Sequence, residues 1–356
     1  MIKFESNSMG NYLILKPDLY KLIDGLIKKG TEIIAPVKQE NFTNFCPIKS
    51  AKEIVWGAPQ TVIPPKQFLY PQSEELLAYE FGGGDPKLKG INQVKQRILL
   101  SVHPCDLNAI YQMDQVFAEK NKDENYLEKR KAVTIIGVDC QKPCSPESIC
   151  SRMGGLEPKG RFDLFLTDIG SLFFVEVVTE KGEALLKDKF KKAKKTDLIK
   201  LKNVRIKRDL LFNKEQKKLL PKLKNLPELM KENYNHVEWE ERGKKCYGCG
   251  SCNMVCPTCY CFDVQDYMHI SLVKGARNRF WDGCMLEEFA RVASGENFRE
   301  TRLERLRHRT YRKLYYLFSK WGESFCTGCG RCIKACLTNI VSPLEIANAL
   351  HGTGKK

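Results

Sequence analysis

Cysteines at Cys246, Cys249, Cys252 and Cys256 recur with identical spacing at Cys326, Cys329, Cys332 and Cys336. A Cys-x2-Cys-x2-Cys-x3-Cys run is the spacing by which bacterial-type ferredoxins hold 4Fe–4S clusters. Two such runs oblige this part of the chain to fold round inorganic cores as well as round apolar side chains. The loops read Cys246-Tyr-Gly-Cys249-Gly-Ser-Cys252 and Cys326-Thr-Gly-Cys329-Gly-Arg-Cys332. Three thiolates on one tight loop can bind three iron corners of a cubane. Gly248, Gly250, Gly328 and Gly330 are expected at positive φ, which lets the backbone approach the cluster sulfides. The fourth cysteine of each run lies too far round to close its own cluster, and in two-cluster ferredoxins it ligates the other one. The expected ligand sets are therefore Cys246, Cys249, Cys252 and Cys336 for one cluster, and Cys326, Cys329, Cys332 and Cys256 for the second. Tetrahedral zinc takes two Cys-x2-Cys pairs rather than two runs of four, so zinc is the weaker reading. Pro257 follows Cys256 as the ferredoxin pattern has it, whereas Leu337 follows Cys336.

A length of 356 residues suggests two domains. The expectation is an α+β protein: an N-terminal α/β domain with a mixed sheet over residues 1–235, and a mostly helical dicluster ferredoxin domain over 236–356. In the first, residues 17–29 place Leu19, Leu22, Ile23 and Leu26 on one helical face with Pro17 at the start. Residues 31–35, 97–102, 132–138, 162–166 and 172–178 are short β-rich apolar runs that read as strands of a buried sheet. Helices are expected over 106–118 and 183–192, and in the second domain over 285–293 and 301–318. The last of these lines Leu303, Leu306, Leu314 and Leu317 on one face. Its Arg302, Arg305, Arg307, Arg309 and Arg312 are a candidate docking face for a partner.

Sixteen cysteines in a chain of this length fall below the density of a secreted disulfide scaffold. The first residues lack the apolar core of a signal peptide, and no eighteen-residue apolar run occurs. These features predict a cytoplasmic protein of an anaerobe, not inserted in a membrane. The net charge of +16 invites a nucleic-acid reading. Much of the lysine lies over residues 181–231, however, interleaved with leucines such as Leu210, Leu211, Leu219 and Leu220, as on the solvated faces of ordinary elements. No nucleic-acid motif accompanies it, so a nucleic-acid-binding protein with structural clusters is the weaker alternative.

Eight cysteines remain. Cys46 is isolated. Cys105 follows one predicted strand, in Ser101-Val-His-Pro-Cys-Asp106, and Cys140, Cys144 and Cys150 follow another. Their loops can meet at one edge of the sheet, where four thiols would hold a third cluster, with buried small hydrophobes as the alternative. His103 could tune or ligate such a site. Cys259, Cys261 and Cys284 read as packing round a cluster, with ligation of another site as the alternative.

The chain also resembles a known family, the iron–sulfur beta subunits of cytosolic nickel–iron hydrogenases and sulfhydrogenases, with the related A subunit of anaerobic sulfite reductase. The resemblance covers most of the chain. It rests on Pro104-Cys-Asp-Leu-Asn-Ala-Ile110, Phe162-Asp-Leu-Phe-Leu-Thr-Asp168, Val175-Glu-Val-Val-Thr-Glu-Lys-Gly182, Cys256-Pro-Thr-Cys-Tyr-Cys-Phe-Asp263, Arg279-Phe-Trp-Asp-Gly-Cys284 and Gly295-Glu-Asn-Phe-Arg299. It implies two 4Fe–4S clusters on the eight cysteines named first. It also implies electron relay between a flavin-containing NAD(P)H subunit and a catalytic partner, either nickel–iron hydrogenase subunits or a sirohaem sulfite reductase subunit. The family usually has Arg where His103 stands, and Cys-Phe-Cys where Ser148-Ile-Cys150 stands. Cys144 is the thiol that can replace the one missing at Ser148.

No catalytic centre of the chain's own is expected. No Gly-x-Gly-x-x-Gly loop follows a strand; Gly82-Gly-Gly-Asp85 reads as a turn and Gly352-Thr-Gly-Lys355 as a tail. The sirohaem spacing, the two distant Cys-x2-Cys pairs of a nickel–iron site and a Cys-Cys-Gly unit are likewise missing from the sequence.

Overall fold

Alternation of apolar residues decides how the large sheet is covered. In the strands at 97–102, 133–138 and 164–168, Ile98, Leu100, Ile136, Val138, Leu164 and Leu166 enter one core, while Leu99, Val102, Val133, Ile135 and Phe165 enter another. Successive side chains on a strand point to opposite faces, so a sheet buried on both sides needs these near-continuous apolar runs. The computed structural model describes residues 8–82, 84–160, 162–186 and 190–353. Residues 1–6, on which the signal-peptide expectation rests, lie outside these residues, as does Gly83 of the expected turn.

The strands in chain order are β1 (Gly10–Leu15), β2 (Glu32–Gln39), β3 (Phe42–Pro47), β4 (Ser73–Glu80), β5 (Lys87–Gly90) and β6 (Arg97–Val102). They continue with β7 (Val133–Val138), β8 (Leu164–Asp168), β9 (Leu172–Val177), β10 (Lys191–Lys192), β11 (Phe262–Met268) and β12 (Lys274–Trp281). Eight of them form a mixed sheet in the order β10-β1-β9-β8-β7-β6-β2-β3. The β2, β6, β7 and β8 neighbours are parallel and the outer pairs antiparallel. The helix Lys16–Lys28 packs Leu19 and Ile23 into one core, and the helix Pro104–Phe117 packs Leu107, Ile110, Met113 and Phe117 into the opposite one. Gly137 in β7 makes the second packing possible, because a Cβ there would stand 2.7 Å from Leu107 Cδ1.

The mixed α/β sheet is the one expected, and a dicluster region follows it. Two local expectations change. Residues 285–293 form only the 3-10 turn Glu288–Ala290. The helix expected over 183–192 is the short helix Glu180–Glu183 followed later by β10, with 187–189 outside the described residues. The lysine-rich stretch carries the long helix Lys195–Glu215, which buries Leu201, Arg208 and Phe212. A second sheet, β11-β12-β4-β5, joins a hairpin from the cysteine-rich region to strands from the N-terminal part. Among the described residues no helix is long and apolar enough to cross a membrane.

Candidate metal centres

Each cysteine loop ends in one short helical turn, Ser251–Met254 after the first and Arg331–Lys334 after the second. Gly248, Gly250, Gly328 and Gly330 all take positive φ, between 70° and 80°, as the tight wrap requires. The two turns pack against each other. Cys246, Cys252, Cys332 and, more exposed, Cys336 share one cluster of packed side chains with Val255, Leu306, Ile340 and Val341. The sulfur charges show which thiols are neighbours: Cys246 is acted on by Cys336 and Cys249, and Cys252 by Cys332, Cys284 and Cys336. Cys326 is acted on by Cys332 and Cys256, and Cys329 by Cys332 and Cys256. Cys336 thus lies with the first loop and Cys256 with the second.

The surroundings fit an anionic group. Burial, against the electrostatic help of Arg309, pushes the Cys252 thiol up to about 12, and burial together with Cys332 pushes Cys326 up to about 12. Free thiols there stay protonated; iron would displace the protons. Arg309 is buried, donating to Cys252 O at 3.3 Å. Burial works against its charge, yet Cys252, Cys332, Cys256 and Cys284 hold its pKa well above the usual value. Arg309 Nε, Arg305 Nε and Thr327 Oγ1 are buried without a partner among the described residues, as donors awaiting acceptors would be. Lys313, also buried, donates to Thr258 O at 2.9 Å and Thr258 Oγ1 at 2.7 Å. These cations lie on one continuous helical stretch, Arg302–Tyr311 followed by the π turn Arg312–Tyr316, with Arg305, Arg309 and Lys313 spaced four apart toward the sulfurs. The docking face expected of the arginines is corrected: Arg305 and Arg309 are buried, and Arg302 donates to Cys246 O at 2.8 Å. Leu306, Leu314 and Leu317 are buried as expected.

The third cysteine group sits where the parallel strands β6 and β7 end side by side. A register shift at Ser101, whose φ is 63°, re-aims the chain into His103 and Cys105. Cys140 is acted on by Cys144 and Cys150, and Cys105 by Cys329 and Cys144, so the fold brings these four together beside the second cysteine loop. Burial, with Cys150 next, pushes Cys144 up to about 11. Ser148, which stands where the resembled family has Cys, instead donates from Oγ to Ser145 O at 2.8 Å. His103 is buried beside them, and burial, with Arg331, pulls its pKa down. A cleft of about 930 Å³ opens over Cys140 and Cys144, with Trp56, His103, Asp168 and Phe173 on its walls; its Trp56 Nε1 and Ser145 Oγ have no partner among the described residues.

Several residues that hold this arrangement carry no sequence signal. Arg331, between Cys329 and Cys332, makes two bonds to Asp106 at 2.6 and 2.8 Å, and reaches Thr61 O at 2.8 Å. Gln216 donates to Cys150 Sγ at 3.4 Å and accepts from Ser151 N at 3.1 Å. Arg208 pairs with Asp139 at 2.8 Å and so ties the helix Lys195–Glu215 to the end of β7. Ile149 N donates to Gly328 O at 2.8 Å, joining the two loops directly.

Cys259 and Cys284 are buried and Cys261 half-buried. The hydrogen bond from Cys261, opposed by burial and helped by Lys66 and Lys313, holds Cys259 well below the usual thiol value. Cys46 lies apart, accepting from Gln39 Nε2 at 3.5 Å. Among the described residues no three His, Cys, Asp or Glu side chains converge as a single bound ion would need.

Comparison with known proteins agrees with this geometry. Residues 245–340 match the 4Fe–4S dicluster domain, a domain that holds two 4Fe–4S clusters. The chain is 28% identical to sulfhydrogenase 2 subunit beta of Pyrococcus furiosus over 332 residues, covering 92% of this chain and 95% of the relative. A shorter match, 33% identical over 104 residues, covers 29% of this chain and 26% of F420-dependent formate dehydrogenase 1 subunit beta of Methanococcus maripaludis. No solved structure matches. The chain thus carries a 4Fe–4S dicluster domain on two facing cysteine loops and is similar to a sulfhydrogenase beta subunit along nearly its whole length.

Proposed function

We propose that this chain is the electron-relay subunit of a hydrogenase- or sulfur-reductase-type complex. The observation that carries this reading is the exchange of fourth cysteines, with Cys336 beside the first loop and Cys256 beside the second. The ligand sets are then Cys246, Cys249, Cys252 and Cys336, and Cys326, Cys329, Cys332 and Cys256. Each cluster, when bound, supplies one-electron redox chemistry. The chain's own residues fix the spacing, exclude water and place Arg309 and Lys313 against the anionic sulfurs.

The arrangement favours a direction through the molecule. Cys249 is exposed, as are Tyr247 in the same loop, at 68%, and Leu337 next to Cys336, at 84%, so the first cluster would lie near the surface. The second is enclosed by Thr258, Arg309, Lys313 and Phe325. Cys105, Cys140, Cys144 and Cys150 are the proposed ligands of a third cluster, beyond the second and under the cleft. Their common edge, and the packing of Cys105 and Cys150 in one cluster with Cys329, support it. Electrons would pass between a flavin-containing NAD(P)H subunit at one end and nickel–iron hydrogenase subunits at the other, in the cytoplasm. The likeness to a sulfhydrogenase beta subunit supports these partners.

Anaerobic purification of the native complex tests the reading. The expected result is co-purifying flavin and nickel–iron subunits, with about eight iron atoms per chain for two clusters, or about twelve with the third. A sirohaem subunit in their place would assign the chain to sulfite reduction. Markedly fewer than eight irons, or zinc instead, would overturn the reading.

A further inference from the structure

Besides the distant Cys46, three cysteines stand outside every ligand set above, and the fold gathers them behind the second cluster. Cys259 and Cys284 are 6% and 5% exposed. The Nδ2 of buried Asn253 reaches both sulfurs, at 3.8 and 3.5 Å, and Asn253 is fixed in turn by accepting from Met285 N at 3.1 Å. Gly283 keeps room for that amide, since a Cβ there would stand 2.7 Å from Asn253 Cβ. Cys261, two residues from Cys259 and just before β11, is within hydrogen-bond reach of its sulfur.

The charges round this pocket are unusual. Lys66 and Lys313 are 2% and 8% exposed. Lys66 Nζ donates to Cys259 O at 2.5 Å and sits 4.1 Å from the centre of the Trp281 ring. Lys313 Nζ donates to Thr258 O and Oγ1. Among the described residues neither ammonium group pairs with a carboxylate. A buried cation held only by neutral oxygens is costly without an anion, and beyond the cluster the anions within reach are the sulfurs of this pocket. It is built to keep sulfur reduced and charged. Cys259 N also donates to Cys256 O at 3.3 Å, and Thr258 Oγ1 lies 3.4 Å from Cys256 Sγ, so the pocket shares a backbone turn with a proposed ligand of the second cluster.

We propose that Cys259 and Cys261 form a reversible dithiol–disulfide couple that exchanges two electrons with the two clusters. On oxidation the Cys259 thiolate and the Cys261 thiol join in one S–S bond, the proton of Cys261 leaves, and two electrons depart singly, one to each cluster. Reduction runs the same balance backwards, with Lys66, Lys313 and the Asn253 amide receiving the thiolate. Cys284, held by the same amide, remains a thiol. The couple would store an electron pair between a two-electron partner and one-electron carriers. The proposal rests on the two-cluster reading.

The test uses anaerobic holoprotein poised at a series of potentials, acid-quenched, alkylated and peptide-mapped. The expected result is that Cys259 and Cys261 are both alkylated at low potential and linked at high potential, along a two-electron curve. Cys261→Ser should abolish the link and take up two fewer electrons per chain in a reductive titration, while keeping about eight irons and both cluster signals. Both thiols alkylated at every potential in the wild-type protein would overturn the proposal without any variant being needed. So would loss of iron in Cys261→Ser, which would make Cys261 a ligand. Failure of the two-cluster reading is distinct, because it appears as low iron in the wild-type protein.

Discussion

Cys336 and Cys256 are the residues on which the pairing of the clusters turns. Each is separated from its proposed loop by at least 70 residues of chain, so the assignment is a tertiary statement that the spacing alone could only suggest. Cys336 is partly exposed, and its thiol is pulled below the usual value by the Thr338 hydroxyl and nearby backbone N–H groups acting against burial. If it completes the first cluster, Cys336→Ser and Cys246→Ser remove the same centre. The two variants are then expected to retain about four irons and to give matching residual spectra by electron paramagnetic resonance, while Cys256→Ser matches Cys326→Ser. A Cys336→Ser spectrum that resembles Cys326→Ser would mean that each run closes its own cluster. The dicluster domain was legible because metal geometry imposes the spacing of its cysteine runs. Lys66, Asn253, Gln216 and Arg331 were not, because each acts on a sulfur or a loop distant in sequence. Arg309 shows the same limit from another side: a run of arginines reads as a solvated face, and only the leucines beside it reveal how far that helix is buried.

At the scale of elements, the two cysteine loops have the same internal geometry and different surroundings. Gly328 has φ of 70°, and a Cβ there would stand 2.6 Å from the backbone of Ile149 and Cys150. Gly248 has the same φ, but its Cβ would meet only long side chains, Arg305 Nη2 at 3.4 Å and Arg302 Cγ and Cδ at 3.7 and 3.8 Å. Both substitutions to Ala carry the left-handed strain, of order 1 kcal/mol; only the one at 328 also pushes backbone against backbone. Gly328→Ala is therefore expected to lose about four irons and the second cluster's signal, with Gly248→Ala retaining both clusters. Equal losses in the two would show that strain, and not docking on 147–150, decides. The repeat of Gly in both loops was readable as a demand for positive φ, but the docking was not, since it needs the β7 loop to arrive there. The same contrast runs through the fold. β6, β7 and β9 were legible as apolar runs because both of their faces are buried. The hairpin β11–β12 was not, because β11 is almost wholly exposed, β12 is interrupted by Arg277, Asn278 and Arg279, and its pairing with β4 is remote in sequence. The helix expected over 285–293 fails for a related reason, since Gly295, with φ of 88°, and the bridge from Arg291 to Asn297 turn that segment back on itself.

For the whole molecule, the division of the cores determines what the clusters hold up. The two cores flanking the large sheet contain no cysteine. The packing round Cys246, Cys252 and Cys332, and that round Cys105, Cys150 and Cys329, is built on thiols. Removing iron leaves those thiols protonated, because burial raises Cys252 and Cys326 to about 12 and Cys144 to about 11. Rebinding must then expel protons from groups that hold them across the whole neutral range. The sign follows: acid favours the iron-free form, and each step upward in pH favours the loaded one until pH approaches the thiol values. Iron retention against a fixed concentration of chelator is accordingly expected to rise continuously from pH 6 to pH 9. A profile that levels off near pH 7 would mean that the ligands are already ionised in the iron-free chain. Amide hydrogen exchange on the chelated protein locates the consequence. Protection should fall in 245–340 and in the loops after β6 and β7, and persist in the sheet from β6 to β9, whose packing owes nothing to sulfur. The division is graded, since β12 still pairs with β4 across seven residues of register and Arg331 still pairs with Asp106. These contacts link the sheet to the cluster region, so exchange in β4 should rise with that in β12 if the hairpin depends on the clusters. Unchanged protection in β12 after chelation would show instead that the hairpin belongs to the iron-independent part of the molecule.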